Sequence, residues 1–420
     1  MFKKYIKSNF LKNILILISS AGLAQLIPFL VLPILQKYFY SPENFGLLSV
    51  YVSISLMFVK FSTFSYEFAI VNQKSEKHAL EIFYGTVQIL FITTILISLL
   101  IVGMYFFVKN NFYIQKLGIY SFLIPVTVFN FGFYQILRYW FNWKKEFLKI
   151  GKSMIFKSIS AESLKLIQGF LKFTSVGLII GRVFGEIISF LFLLFSFLKK
   201  DYSKLKKIKQ KDIYSILKIN YKFPAYTMPS GLKGTLLNVI LISLFAKYFG
   251  MGKAGLIGIS VSYISVAFGI ISQSFSQVFY SKINELDDSQ LFNILKKNVL
   301  FLFVISIFVT IFIQLIPNLF VVRLLGNKWI EFMPVLKLLI FAVSISFISS
   351  SVSFIYIRVN KQKEMLFFDI FHLLLVTSFI IFGYYKTNDF MQTLMYYVTA
   401  QVIYYSLAIF LSFYFVKKVK

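Results

Sequence analysis

Lys60 and Glu67 stand about two helical turns apart in "LMFVKFSTFSYEF", a stretch otherwise made of apolar and small polar residues. Ionisable groups in such surroundings are costly and usually face water or a partner. A lysine there can attract an anion, and a carboxylate can carry a proton or sodium ion. Lys233 stands in "FPAYTMPSGLKGTLLN", beside Pro224, Pro229, Gly231 and Gly234, where a helix can break and expose its backbone to a cavity. Arg138, Lys157 and Arg182 complete a cationic set for substrate binding. Each has a plainer reading. Arg138, like Lys337, can snorkel to headgroups. Arg182 and Glu186 are i,i+4, and Glu162 and Lys165 are i,i+3, so each pair can simply neutralise itself. Asp369 and His372 are i,i+3; with Glu67 they are the ion-coupling candidates, or else a local hydrogen-bonded pair. Cations outnumber carboxylates, which suits an anionic substrate. No Ser/His/Asp set or phosphate-binding glycine loop is present, so no catalytic residue is assigned. With no cysteine and two histidines, a metal or other cofactor is not expected.

The elements that hold these residues follow from composition. Hydrophobic residues make up 58% of the 420-residue chain and charged residues only 14%, against about a quarter charged in soluble domains. Runs such as "IFYGTVQILFITTILISLLIVGMYFFV" exceed the roughly 20 residues a spanning helix needs. A bilayer offers the backbone no water, so these runs must be helices. Twelve fit: 12–36, 45–71, 80–108, 116–140, 150–172 and 176–198, then 223–249, 254–281, 291–316, 331–357, 364–385 and 390–416. The fifth is the least hydrophobic. The N-terminus resembles a signal peptide, but its apolar stretch runs to about Leu35, too long for one, and reads as the first span.

Lys and Arg gather on one side of this arrangement, among them Lys3, Lys4, Lys7 and Lys12, Lys144, Lys145, Lys149 and Lys152, and Lys417, Lys418 and Lys420. The positive-inside rule puts both termini in the cytoplasm. The net charge of +28 is dispersed over many loops, which speaks for topology and anionic headgroups, not nucleic acid. "KYFYSPENFGLL" (Lys37–Leu48) returns as "KYFGMGKAGLI" (Lys247–Ile257) at the same helix pair of each half. The expected architecture is an all-α integral membrane protein, with twelve transmembrane helices in two pseudo-symmetric six-helix lobes around a central cavity. Residues 1–198 form the N-terminal lobe, 199–222 a basic linker and 223–420 the C-terminal lobe.

Several segments resemble one family, in order along nearly the whole chain. They are "AGLAQLIPFLVLPILQKYFYSPENFGLLSVYVSI" followed by "YEFAIV", "GLIIGRVFGEIISF", "KFPAYTMPSGLKGTLLN", "SQSFSQVFYSKINE" and "LLGNKWIEFMPVLKLL". The chain resembles the Wzx-type O-antigen and polysaccharide flippases of the multidrug/oligosaccharidyl-lipid/polysaccharide exporter superfamily. Glu67, Gly46, Gly177, Gly181, Gly185 and Gly326 match family positions; the cavity cations come from depth alone. The resemblance implies export of a polyprenyl-diphosphate-linked oligosaccharide across a bacterial inner membrane, for O-antigen, capsule or exopolysaccharide synthesis, with a polymerase acting in the same pathway. Independently of the resemblance, Glu67 or Asp369 could couple the step to a proton or sodium gradient. The alternatives are a cation-coupled multidrug exporter of the same superfamily and a polysaccharide polymerase or ligase.

Overall fold

The computed structural model describes residues 9–108, 111–205, 208–284, 288–359 and 361–419. Lys3, Lys4, Lys7 and Lys420 of the basic side lie outside the described residues. Among those described, no strand is present. Six long helices come first: α1 (Asn9–Ile34), α2 (Pro42–Ser62), α3 (Glu76–Phe107), α4 (Leu123–Trp143), α5 (Phe147–Phe170) and α6 (Ser175–Lys200). A short helix, α7 (Gln210–Ile219), leads to six more: α8 (Met228–Phe249), α9 (Met251–Asn284), α10 (Asp288–Leu315), α11 (Phe332–Val352), α12 (Gln362–Thr387) and α13 (Phe390–Val419). The twelve long helices follow the twelve apolar runs.

Among the described residues, ten segments are long and apolar enough to cross a membrane, and the chain is a multi-pass membrane protein. The two long helices outside that set are α5 and α9, the latter with a shorter apolar part, Met251–Val266. On α5, two of the lysines are paired inside the bundle, Lys165 with Glu162 at 2.6 Å and Lys157 with Glu186 at 3.6 Å. Its polarity is therefore compatible with burial.

The helices form two compact units. One comprises Met1–Tyr40 and Leu47–Val239, the other Ser41–Gly46 and Ile240–Lys420. In the first, α5 and α6 lie in close backbone approach along Gly177, Gly181 and Gly185. The Ser158 hydroxyl on α5 donates to the Ala24 carbonyl of α1 at 2.6 Å. An aromatic core joins α3, α4 and α6: Phe83 stacks on Phe197 at 4.5 Å, and Trp140 meets Phe83 edge-on at 5.8 Å. In the second unit α11 packs on α9, α10 and α13. The repeated phrase acquires a physical reason here. A Cβ on Gly46 would lie 1.8 Å from the Met251 carbonyl oxygen, and one on Gly255 would lie 1.9 Å from that of Pro42. Each copy supplies a glycine because the start of α2 and the start of α9 touch backbone to backbone.

The basic stretch 199–222 is built into the first unit. Asp201 is 1% exposed and accepts from Trp140 Nε1 at 3.0 Å, from Lys144 and, at 3.3 Å, from Lys204. Lys204 also reaches Glu76 at 2.5 Å, which pushes its ammonium above the ordinary value. Further on, Lys77 pairs with Asp212 at 3.1 Å, while Ile213 and Ile216 are buried.

Burial pushes the Asp201 carboxyl up, but hydrogen bonds from Lys144 and Trp140 outweigh it and hold the group below its ordinary range. Folding thus favours the ionised form. The stabilisation is complete above the unfolded carboxylate value, about 3.9, and is lost as pH falls through the lower folded value. Asp201→Asn should therefore lower stability at neutral pH by roughly 1.5–3 kcal/mol, the worth of a hydrogen bond to a charged group. The gap from wild type should close in acid. Thermal unfolding in detergent across the pH range checks this; a gap that persists undiminished in strong acid contradicts this role for Asp201.

Candidate functional site

The sequence predicts one continuous helix over 45–71; the structure breaks it. α2 ends at Ser62, Phe64 and Ser65 take left-handed backbone angles (φ 49° and 62°), and a short helix, Glu67–Val71, follows. Neither residue is a glycine, so the turn carries strain that its neighbours must hold. They do. The Thr93 hydroxyl on α3 donates to the Ser62 carbonyl at 2.7 Å, occupying an acceptor that the interrupted helix leaves open. On α4, Gly132 lets the backbone close in, since a Cβ there would lie 3.0 Å from Ser62 Oγ. Lys60 thus occupies the last turn of one helix and Glu67 the first residue of the next.

These two residues line one cavity of about 290 Å³ within the first unit. Its other polar walls are Thr63, Gln135, Thr235 and Asn238, and Phe131 supplies an aromatic face. Glu67 is only 9% exposed, and its Oε2 has no hydrogen-bond donor; Gln135 Oε1 is likewise a buried acceptor without one. Lys60 and Arg138 are both within electrostatic reach of Glu67. Lys60 is exposed and forms no ion pair within 4.0 Å among the described residues.

A second cationic cluster stands behind Phe131. Lys157 Nζ lies 4.9 Å from the centroid of that ring and 3.6 Å from Glu186 Oε1. Arg182 Nε lies 3.2 Å from the same oxygen, and Glu186 is 1% exposed. The i,i+4 pair read from the sequence therefore exists, but it is one side of a triad with two cations and one carboxylate. The glycine ladder builds it. A Cβ on Gly185 would lie 2.7 Å from the Lys157 carbonyl oxygen and 2.6 Å from Ala161 Cβ, so only glycine allows α6 this near α5.

The remaining candidates are placed differently. Arg138 does not line the cavity; its guanidinium lies 5.3 Å from the Tyr139 ring centroid. Lys233 does not line it either, although Gly234 and Thr235 beside it do. Asp369 and His372 belong to the second unit, and both turn to α13. Tyr404 donates to Asp369 Oδ1 at 2.6 Å, His372 stacks on the Tyr404 ring at 3.5 Å, and His372 Nε2 meets Gln401 Oε1 at 2.9 Å. Among the described residues no group of three or more His, Cys, Asp or Glu could hold a metal ion. Charge-based reading missed Thr63, Gln135, Thr235 and Asn238, because neutral polar residues in spans are common. Their one signal was proximity to Lys60, Arg138 and Lys233.

A family model described as polysaccharide biosynthesis protein matches residues 10–246. No curated protein shows significant sequence similarity to the chain. Among solved structures, an inward-facing multidrug resistance MATE family transporter of the MOP superfamily is similar at TM-score 0.69. It shares 15% identity, and the match covers 96% of this chain and 95% of that one. The lipid II flippase MurJ in an inward closed conformation matches at TM-score 0.67 and 16% identity, covering 94% of this chain and 87% of that one. A MOP superfamily transporter from Pyrococcus furiosus, reported with a binding pocket of reversed polarity, matches at TM-score 0.55 and 14% identity, covering 97% and 96%. The chain has the fold of these transporters, and the resemblance read from its sequence holds.

Gly185→Leu should separate α6 from α5 and pull Glu186 from Lys157. We expect a loss of about 1–3 kcal/mol, the usual cost of overpacking, seen as a lower thermal midpoint in detergent. Gly103→Leu, where nothing lies within 4 Å of the added carbon, should be neutral. Equal midpoints for the two variants would refute the close-approach account.

Proposed function

Because the chain belongs to the polysaccharide biosynthesis protein family, we propose that it carries polyprenyl-diphosphate-linked oligosaccharide units across the bacterial inner membrane by alternating access. The repeat units would feed O-antigen, capsule or exopolysaccharide synthesis, with a polymerase consuming them on the far side. The observation that supports this substrate most is the polarity of the first unit's interior. Lys60, Arg138, Lys157, Lys165 and Arg182 stand there against Glu67, Glu162 and Glu186. Such an excess attracts an anion. At an effective dielectric constant near 20, a charge pair 4 Å apart gains about 4 kcal/mol, against about 1 kcal/mol in water.

In this reading Lys60 offers the cavity's unpaired ammonium to the diphosphate. Lys157, one aromatic ring away, shares Glu186 with Arg182 and leaves a net positive charge behind the wall. Gln135, Thr63, Thr235 and Asn238 supply the neutral hydrogen-bonding groups that sugar hydroxyls or phosphate oxygens need. Arg138 and Lys233 act from just outside the lining, along the approach. Glu67, whose buried oxygen lacks a donor, is the first candidate to carry a coupling proton or sodium ion. Asp369 and His372, already engaged with Tyr404 and Gln401, come second. The basic side of the topology faces the cytoplasm, with both termini.

A cation-coupled multidrug exporter is the second reading, favoured by the MATE relatives of the fold. It would need a cavity dominated by carboxylates, the opposite of the balance seen here. A polymerase or ligase has no support in the residues described.

Complementation of a deletion strain separates these readings. Lys60→Gln combined with Lys157→Gln should cut surface polysaccharide at least about tenfold at equal membrane expression, because two cations each worth a kcal/mol or more are lost. Lipid-linked repeat units should accumulate and drug susceptibility should not change. Wild-type polysaccharide levels from the double variant would sink the proposal, and a changed drug profile would favour the second reading.

A further inference from the structure

The connecting helix α7 has two faces, and its fold partners account for only one. On the inner face Ile213 and Ile216 are buried, and Ile213 and Leu217 close over Gly85 of α3. Asp212 pairs with Lys77 at 3.1 Å, Gln210 exchanges a hydrogen bond with Gln88 at 3.0 Å, and the Tyr66 hydroxyl donates to the Leu217 carbonyl at 3.3 Å. These contacts fix the rotation of the helix about its own axis.

The outer face follows from that rotation. On α7, Lys211, Tyr214, Ser215 and Lys218 recur at spacings of three and four and are exposed, as is Lys222 just past its end. Tyr214 is 70% exposed and Ile219 is 73% exposed. Lys209, Lys211, Lys218 and Lys222 take part in no ion pair among the described residues. Asp212 is the only acidic residue between Tyr202 and Tyr226, and it is committed to Lys77. The face is therefore cationic, unbalanced and interleaved with aromatic and aliphatic side chains.

The position of α7 along α3 says what it meets. α3 has 32 residues, so it is about 48 Å long at 1.5 Å per residue. The hydrocarbon core is only about 30 Å thick. Its charged first turns, with Glu76, Lys77 and Glu81, are the part of α3 suited to the headgroup zone, and α7 lies against α3 from Lys77 through Gly85 to Gln88. Lysines beside tyrosines at that depth match an anionic interface in charge and in polarity.

We propose that the outer face of α7 docks anionic phospholipid headgroups of the membrane the protein spans. This site is separate from the substrate cavity and does not depend on what the protein transports. Each lysine near such a surface favours anionic lipid by about fivefold, so the local preference should be readily measurable.

The chain contains no cysteine, so Ser215→Cys places a single bimane label on the outer face without other changes. In nanodiscs, quenching by spin-labelled phosphatidylglycerol should exceed quenching by spin-labelled phosphatidylcholine at least about threefold. Adding Lys211→Gln, Lys218→Gln and Lys222→Gln should bring the ratio to parity, and so should 1 M salt with the lysines intact. Equal quenching by the two lipids, no quenching by either, or a ratio unmoved by the triple substitution overturns the proposal. The polysaccharide assay reads none of these outcomes, so the two proposals fail independently.

Discussion

A carboxylate inside an apolar helix bundle must have cations beside it, and Glu186 meets that requirement through its neighbours' backbones. It is all but sealed from solvent, with Arg182 one helical turn along its own helix and Lys157 on α5. Lys157 reaches it because Gly181 and Gly185 let the α6 backbone approach that of α5. Helix separation sets the charge geometry, and charge geometry lets α5, the most polar of the first six helices, be buried at all. Breaking one partner from such a group costs far more than the pair is worth when intact. The glycine ladder is thus an electrostatic device as much as a packing one.

The same reasoning sorts the two polar stations of the molecule. In the second unit, Tyr404 bonds Asp369, while Gln401 links His372 to Tyr397, and the stacked His372 and Tyr404 rings join the two sets between α12 and α13. Such a network holds two helices in register. In the first unit, Lys60, Glu67 and Gln135 open on a cavity and retain hydrogen-bonding capacity that the protein does not use.

Much of this was legible in the sequence because apolar length is an unambiguous signal. Runs as long as "IFYGTVQILFITTILISLLIVGMYFFV" have one physical solution in lipid, and the long helices follow them. The repeated "KYF" phrases marked a real pair of touching glycines, Gly46 and Gly255. What stayed hidden depends on partners far apart in the chain. Glu186 and Lys157 are 29 residues apart, and nothing local announces their meeting. The i,i+3 spacing of Asp369 and His372 pointed to a local pair, whereas each turns outward to α13. In 199–222 the lysines dominated the reading, and the helical spacing of Ile213, Ile216 and Leu217, enough to bury one face of α7, went unused. The break after Ser62 has no Gly or Pro to signal it; only Thr93 and Gly132, on other helices, make it tenable.

That break also ties the cavity to the connecting helix. The four residues between α2 and the short helix Glu67–Val71 include Thr63, a wall of the cavity, and Tyr66, whose hydroxyl bonds the Leu217 carbonyl of α7. Two residues in the left-handed region lie between them. Non-glycine residues held there cost of order 1–3 kcal/mol each. Thr93 and Gly132, on the neighbouring helices, hold the turn in place. A wall of the cavity and an anchor of α7 therefore sit in one strained four-residue turn, and the packing that maintains the turn serves both.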